Sequence, residues 1–89
     1  MVMGNRRLIR ATEFWKTKDG LVFIENNSLH LILNKTQSTI WQFLDGGLTS
    51  QEIIEKADDL NIPAEYVKGF IDYCLKLGIL NYAGDEWDI

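Results

Sequence analysis

The stretch Leu29-His30-Leu31-Ile32-Leu33-Asn34-Lys35-Thr36-Gln37-Ser38-Thr39-Ile40-Trp41 decides the fold, because the spacing of its apolar residues changes at Asn34. Before Asn34, Leu29, Leu31 and Leu33 share one face and His30 and Ile32 the other, the period of two that marks a strand. From Asn34 onward the spacing becomes helical. Asn34 followed three residues later by Gln37 is a capping-box pattern, and Ile40, Trp41 and Leu44 then fall one turn apart. A strand therefore runs directly into a capped helix.

Upstream of this junction the chain reads as two further strands. Leu8 to Thr17 is rich in β-branched, aromatic and aliphatic residues, and Lys18-Asp19-Gly20 supplies a turn with glycine available for positive φ. Leu21-Val22-Phe23-Ile24 forms the second strand, closed by the polar turn Glu25-Asn26-Asn27-Ser28. Three strands joined by short turns predict one N-terminal antiparallel meander.

Downstream, Asp45-Gly46-Gly47 ends the first helix as a connecting turn. Thr49-Ser50-Gln51-Glu52 is a complete capping box for a second helix, whose inner face carries Ile53, Ile54, Ala57 and Leu60. Asn61-Ile62-Pro63 breaks it, and Pro63 suits the first turn of a third helix reaching Leu77. That third helix has two adjacent apolar stripes: Val67, Ile71, Cys74 and Gly78 on one, Tyr66, Phe70, Tyr73 and Leu77 on the other. Gly78 is a natural stop, and Ile79 to Tyr82 reads as extended. The expected class is α+β, a winged helix-turn-helix with a three-stranded N-terminal antiparallel sheet packed on three helices.

Eighty-nine residues make one domain over 1–89, with residues 1–7 and 84–89 expected as flexible ends. An apolar share of 46% with 25% charged residues excludes a disordered or collagen-like chain. One cysteine excludes an internal disulfide framework, and the start Met1-Val2-Met3-Gly4-Asn5-Arg6-Arg7 lacks an apolar signal core, which points to the reducing cytoplasm. No apolar run approaches the roughly 20 residues a membrane span needs.

Catalysis and metal binding find little support. His30 is the sole histidine and stands alone on its strand, whereas nucleophilic catalysis needs a nucleophile, a base and an orienting group. Cys74, among Phe70, Ile71 and Leu75, reads as a small core residue. One Cys and one His cannot build a structural zinc site, and neither Asp58-Asp59 nor Asp85-Glu86-Trp87-Asp88 has the spacing of a calcium loop. No catalytic residue, metal ligand or cofactor site is expected.

A winged helix-turn-helix raises DNA binding, but the charge is wrongly placed for it. Residues 1–44 carry six Lys/Arg against three acids, net +3, while residues 45–89 carry three Lys against ten acids, net −7. The third helix sets only Lys68 and Lys76 against Glu65 and Asp72, and duplex affinity rests mainly on neutralising phosphates. Arg6, Arg7 and Arg10 are the best support for a small winged-helix transcription regulator, the alternative reading.

Leu31-Ile32-Leu33-Asn34, Thr39-Ile40-Trp41-Gln42-Phe43-Leu44-Asp45-Gly46, Thr49-Ser50-Gln51-Glu52-Ile53-Ile54, and Val67 with Phe70-Ile71, Cys74 and Gly78-Ile79-Leu80 together resemble the PqqD family. These are the RiPP recognition elements, which bind leader peptides of ribosomally synthesised precursors. The resemblance spans about residues 20–82 of the chain. It implies no catalysis and no cofactor, but capture of a leader by strand addition to the third strand, in the groove against the third helix. Carried onto this chain, the docking edge is Leu29, His30, Leu31, Ile32 and Leu33, and the groove wall is Tyr66, Phe70, Tyr73 and Leu77. Cys74 replaces a larger aliphatic residue of the family's pattern, and the Trp87-bearing acidic tail has no counterpart in it. The resemblance further implies a separate partner enzyme, because the chain reads as a free-standing element. That partner is either a radical-SAM enzyme, as in pyrroloquinoline quinone synthesis, or a leader peptidase, as in lasso-peptide pathways.

Two features of the residues agree with that implication. The last strand of a meander leaves backbone N–H and C=O groups for an added strand to satisfy. The third helix has more apolar surface than one buried stripe requires, and Tyr66 and Tyr73 place hydroxyls where a wet edge suits them.

Overall fold

The computed structural model describes residues 6–26 and 28–83, so the expected flexible ends fall outside it at 1–5 and 84–89. Arg7, expected in the N-terminal end, instead opens the first strand. In chain order the elements are β1 (Arg7–Arg10), β2 (Trp15–Lys18), β3 (Leu21–Asn26), β4 (Leu29–Ile32), α1 (Lys35–Gln42), β5 (Asp45–Thr49), α2 (Ser50–Asp58), α3 (Ala64–Leu77) and β6 (Leu80–Tyr82). The class is α+β: three helices and two small antiparallel sheets of three strands, ordered β2-β3-β4 and β5-β1-β6.

The single sheet expected from the sequence is thus two. What read as one strand from Leu8 to Thr17 breaks at Ala11 to Phe14, where Thr12 Oγ1 accepts from the Phe14 N–H at 3.1 Å. A side chain that bonds its own backbone two residues on offers the chain a turn in place of a ladder. The first half, β1, leaves the meander and lies between β5 and β6, with a bulge between Leu8 and Ile9. Asp45-Gly46-Gly47, read as a turn, begins β5 instead. Gly46 has φ +95°, a region closed to most side chains, and a Cβ there would lie 3.2 Å from Ile9 Cδ1.

The meander β2-β3-β4 matches expectation. Asp19 and Gly20 at φ 55° and 80° make the left-handed pair that suits a two-residue hairpin between Lys18 and Leu21. Both capping boxes form: Asn34 with Gln37 for α1 and Thr49 with Glu52 for α2. Each satisfies two backbone donors at its helix start. Pro63 stands at the N-cap of α3, one residue before the first turn, and Gly78 closes α3 at φ 77°. Leu60 lies beyond the end of α2 and is exposed, not on its inner face.

One core joins both sheets to the helices. Leu8 of β1, Val22 and Ile24 of β3, Ile40 and Trp41 of α1, Ile53 of α2, Val67 and Cys74 of α3 and Leu80 of β6 are all fully buried in one cluster. Trp15 meets Trp41 edge to face at 6.0 Å, and the Arg10 guanidinium lies 4.7 Å over the Trp15 ring while donating to the Trp41 carbonyl at 2.7 Å. Ser38 pins α1 to the meander. The Val22 N–H donates to its hydroxyl at 2.9 Å, and that hydroxyl donates to the Leu33 carbonyl at 3.2 Å. Among the described residues no helix is long and apolar enough to cross a membrane.

Candidate functional site: the β4 edge and the α3 cleft

Among the described residues β4 has one neighbour, β3, so its other side is a free edge there. The phase of the ladder fixes which backbone groups that edge presents. The Leu33 N–H donates to the Val22 carbonyl at 2.9 Å, and Leu31 and Leu29 stand opposite Ile24 and Asn26. Hydrogen-bonded pairs alternate along an antiparallel ladder, so Leu29, Leu31 and Leu33 turn their backbone groups toward β3. His30 and Ile32 turn theirs outward. Two N–H donors and two C=O acceptors therefore face away from the sheet.

Beside this edge an open cleft of about 560 Å³ is lined by Leu31 and Ile32 of β4, Gln37 of α1, and Glu65, Tyr66, Gly69, Phe70 and Tyr73 of α3. The side chains alternate as the sequence predicts: Leu33 is fully buried, while Ile32 is 61% exposed. On α3, Phe70 lines the cleft but packs into the core with 4% exposure, whereas Tyr66 and Tyr73 are exposed. The Tyr66 hydroxyl accepts from Asn34 Nδ2 at 3.2 Å, tying α3 to the cap of α1 and fixing the mouth of the cleft. The Tyr73 hydroxyl has no hydrogen bond among the described residues.

Of the nine residues expected at the site, the structure places Leu31, Ile32, Tyr66, Phe70 and Tyr73 around the cleft. Leu33 is core, and its backbone is already used by Val22 and Ser38. His30 contributes its backbone; its ring shares a face with Ile32 but does not line the cleft, and Nδ1 lies 3.2 Å from Glu25 Oε2 with both side chains exposed. Leu29 packs against the core and Leu77 is exposed, and neither lines the cleft. Gln37, Glu65 and Gly69 line it without having been singled out. Gly69 one turn from both Tyr66 and Tyr73, Glu65 one turn before Gly69, and Gln37 in the cap with Asn34 are the positions that mark them.

The remaining candidates are structural. Burial pushes the Cys74 thiol up from 9.0 to about 12, which keeps it protonated and inert. Burial also lowers the pKa of Arg10, partly countered by Asp45, and its guanidinium is engaged by Trp15 and Trp41. A second concavity of about 570 Å³ along α2 is acidic, with Glu52, Glu55, Asp58 and Asp59. Among the described residues no group of three or more His, Cys, Asp or Glu is arranged to hold a metal ion.

Compared with protein-family models, the chain matches none. No curated protein and no solved structure matches it either.

Proposed function

We propose that this chain is a peptide-recognition domain of the PqqD type, with no catalysis of its own. It binds the leader of a ribosomally synthesised precursor as an added strand on β4 and delivers it to a separate modifying enzyme or leader peptidase. The observation that carries this reading is the free edge at His30 and Ile32 opening onto a tyrosine-lined cleft of mixed apolar and polar surface. Backbone pairing supplies sequence-tolerant affinity, and side chains alternating into the cleft supply selectivity. The proposal takes α1, β5, α2, α3 and β6 as a winged helix-turn-helix order, with β1 pairing β5 and β6 in the small second sheet.

The test is fluorescence anisotropy with labelled N-terminal segments of small proteins encoded beside this chain's gene, run next to a labelled DNA duplex at low and moderate salt. Saturable peptide binding that survives the higher salt supports the proposal. DNA binding that falls steeply with salt, without peptide binding, assigns the fold to a transcription regulator instead.

A further inference from the structure

Gly69 is the single glycine within the three helices, and it lies inside α3. Apart from proline, glycine is the residue least favourable to a helix interior, because it loses the most backbone freedom on folding. Close approach of a neighbouring element is the usual reason for one, and none is found among the described residues. A Cβ built on Gly69 meets no atom of them within 4 Å beyond its chain neighbours and the backbone of its own helix. The empty space belongs to the cleft, which Gly69 lines between Tyr66, three residues before it, and Tyr73, four residues after. Two phenol rings thus flank a bare stretch of helix.

Among the described residues the one charged side chain that lines the cleft is acidic, although Lys68 and Lys76 balance Glu65 and Asp72 along α3 as a whole. Glu65, one turn before Gly69, lines the same cleft and has no ion pair among the described residues. No Lys or Arg lines the cleft, and residues 45–89 carry net −7.

We propose that Gly69 is a notch that admits a bulky apolar side chain of an extended, cationic peptide, with Tyr66 and Tyr73 as its walls and a Lys or Arg of the peptide beside Glu65. This rests on the reading of the cleft as a peptide site and names the chemistry of its ligand. The missing side chain is a cost to the free protein that the bound state offsets. A methyl group at this position takes up room the ligand needs, and a leucine side chain fills it.

A displayed library of random 12-residue peptides, selected against the full chain, supplies the probe, about the length that spans both β4 and its flanks at strand rise. Enriched peptides are then synthesised and titrated against the wild type, Gly69→Ala, Gly69→Leu and Glu65→Lys, with thermal melts of each. The expected peptides are basic and carry a large apolar residue at one fixed position. Gly69→Ala raises Tm by about 4–8 °C through helix propensity yet binds at least about tenfold more weakly, the opposite signs that a merely structural glycine does not produce. Gly69→Leu weakens binding further, and Glu65→Lys reduces it for the basic peptides. Replacing the peptide's large residue with alanine removes the difference between wild type and Gly69→Ala. Wild-type binding that both Gly69 variants retain overturns the notch while leaving the peptide site standing, and enrichment of acidic peptides overturns the charge assignment. Absence of any saturable peptide binding by the wild type refutes the site and the notch together.

Discussion

Ile32→Pro separates docking from folding. The Ile32 N–H points away from β3, so a proline there removes no bond of the sheet. Leu31 before it already holds the extended conformation that proline imposes on its predecessor, and edge strands are where proline is tolerated. The Ile32 side chain is 61% exposed, so its loss removes little burial. In the complex the change removes one of four outward backbone groups, and the pyrrolidine ring stands where the partner's carbonyl would lie, stretching an adjacent bond as well. One lost amide bond is worth about 0.5–1.5 kcal/mol and two about 1–3 kcal/mol, which corresponds to roughly 5- to 150-fold in Kd. Leu31→Pro is the control with the opposite expectation. Its N–H faces Ile24, so it loses a ladder bond and leaves a buried carbonyl unpaired, at about 1–3 kcal/mol of stability. Anisotropy titrations and thermal melts on both variants read the two effects apart. An Ile32→Pro protein that melts like the wild type and binds the peptide equally well refutes strand addition at β4.

Tyr73→Ala removes an exposed ring whose hydroxyl has no partner among the described residues, so peptide affinity is expected to fall about tenfold while Tm moves by no more than about 3 °C. A large Tm loss with unchanged affinity places Tyr73 in the structure and not in the site. Gly46→Ala acts in the reverse sense. At φ +95° and against Ile9 it is expected to cost about 1–3 kcal/mol and lower Tm without changing peptide affinity, as melts and titrations of the same sample show. For Cys74 the unfolded thiol ionises near 9.0 and the folded one only near 12, so the unfolded state releases its proton first and stability falls as pH rises through that window. The slope attributable to this residue is up to about 1.4 kcal/mol per pH unit. Denaturant midpoints of the wild type and Cys74→Ala, followed from about pH 8.5 to 10.5, should diverge in slope by that amount, and parallel slopes count against a buried thiol.

What the sequence disclosed follows how locally each feature is encoded. The capping boxes at Asn34 and Thr49 were legible because a box involves residues three apart, and the α3 stripes because helical spacing fixes which residues share a face. The departure of β1 from the meander was not, since Leu8 to Thr17 has strand propensity throughout and only contacts with β5 and β6 divide it. β5 was hidden for the same reason. Asp45-Gly46-Gly47 has turn chemistry, and the pairing of its strand is set by β1, about 36–42 residues earlier. At the site, alternation located the outward residues of β4, but the use of the Leu33 carbonyl by Ser38 depends on how α1 docks. Gly69 falls between the two stripes of α3 and carries no local signal of its role, because the open space its Cβ would face depends on how α3 docks beside β4.

A free strand edge invites unwanted pairing, and the same geometry that makes β4 a docking edge also limits what can dock. β4 is four residues long, and its outward backbone groups come from His30 and Ile32 alone. Two such sheets joined edge to edge would share only that short ladder. The second constraint is α3. With Tyr66 and Tyr73 lining the cleft beside the edge, a second sheet approaching β4 would bring its own neighbouring strands and side chains against the helix. An isolated extended peptide has neither, so in the proposed complex it would reach a ladder that a folded sheet would not. The Asn34–Tyr66 hydrogen bond at 3.2 Å holds α3 at this separation through the α1 cap. On the proposed reading, discrimination between a flexible peptide and a folded β-protein would be built from the spacing of one strand and one helix, and the side chains in the cleft would then choose among peptides.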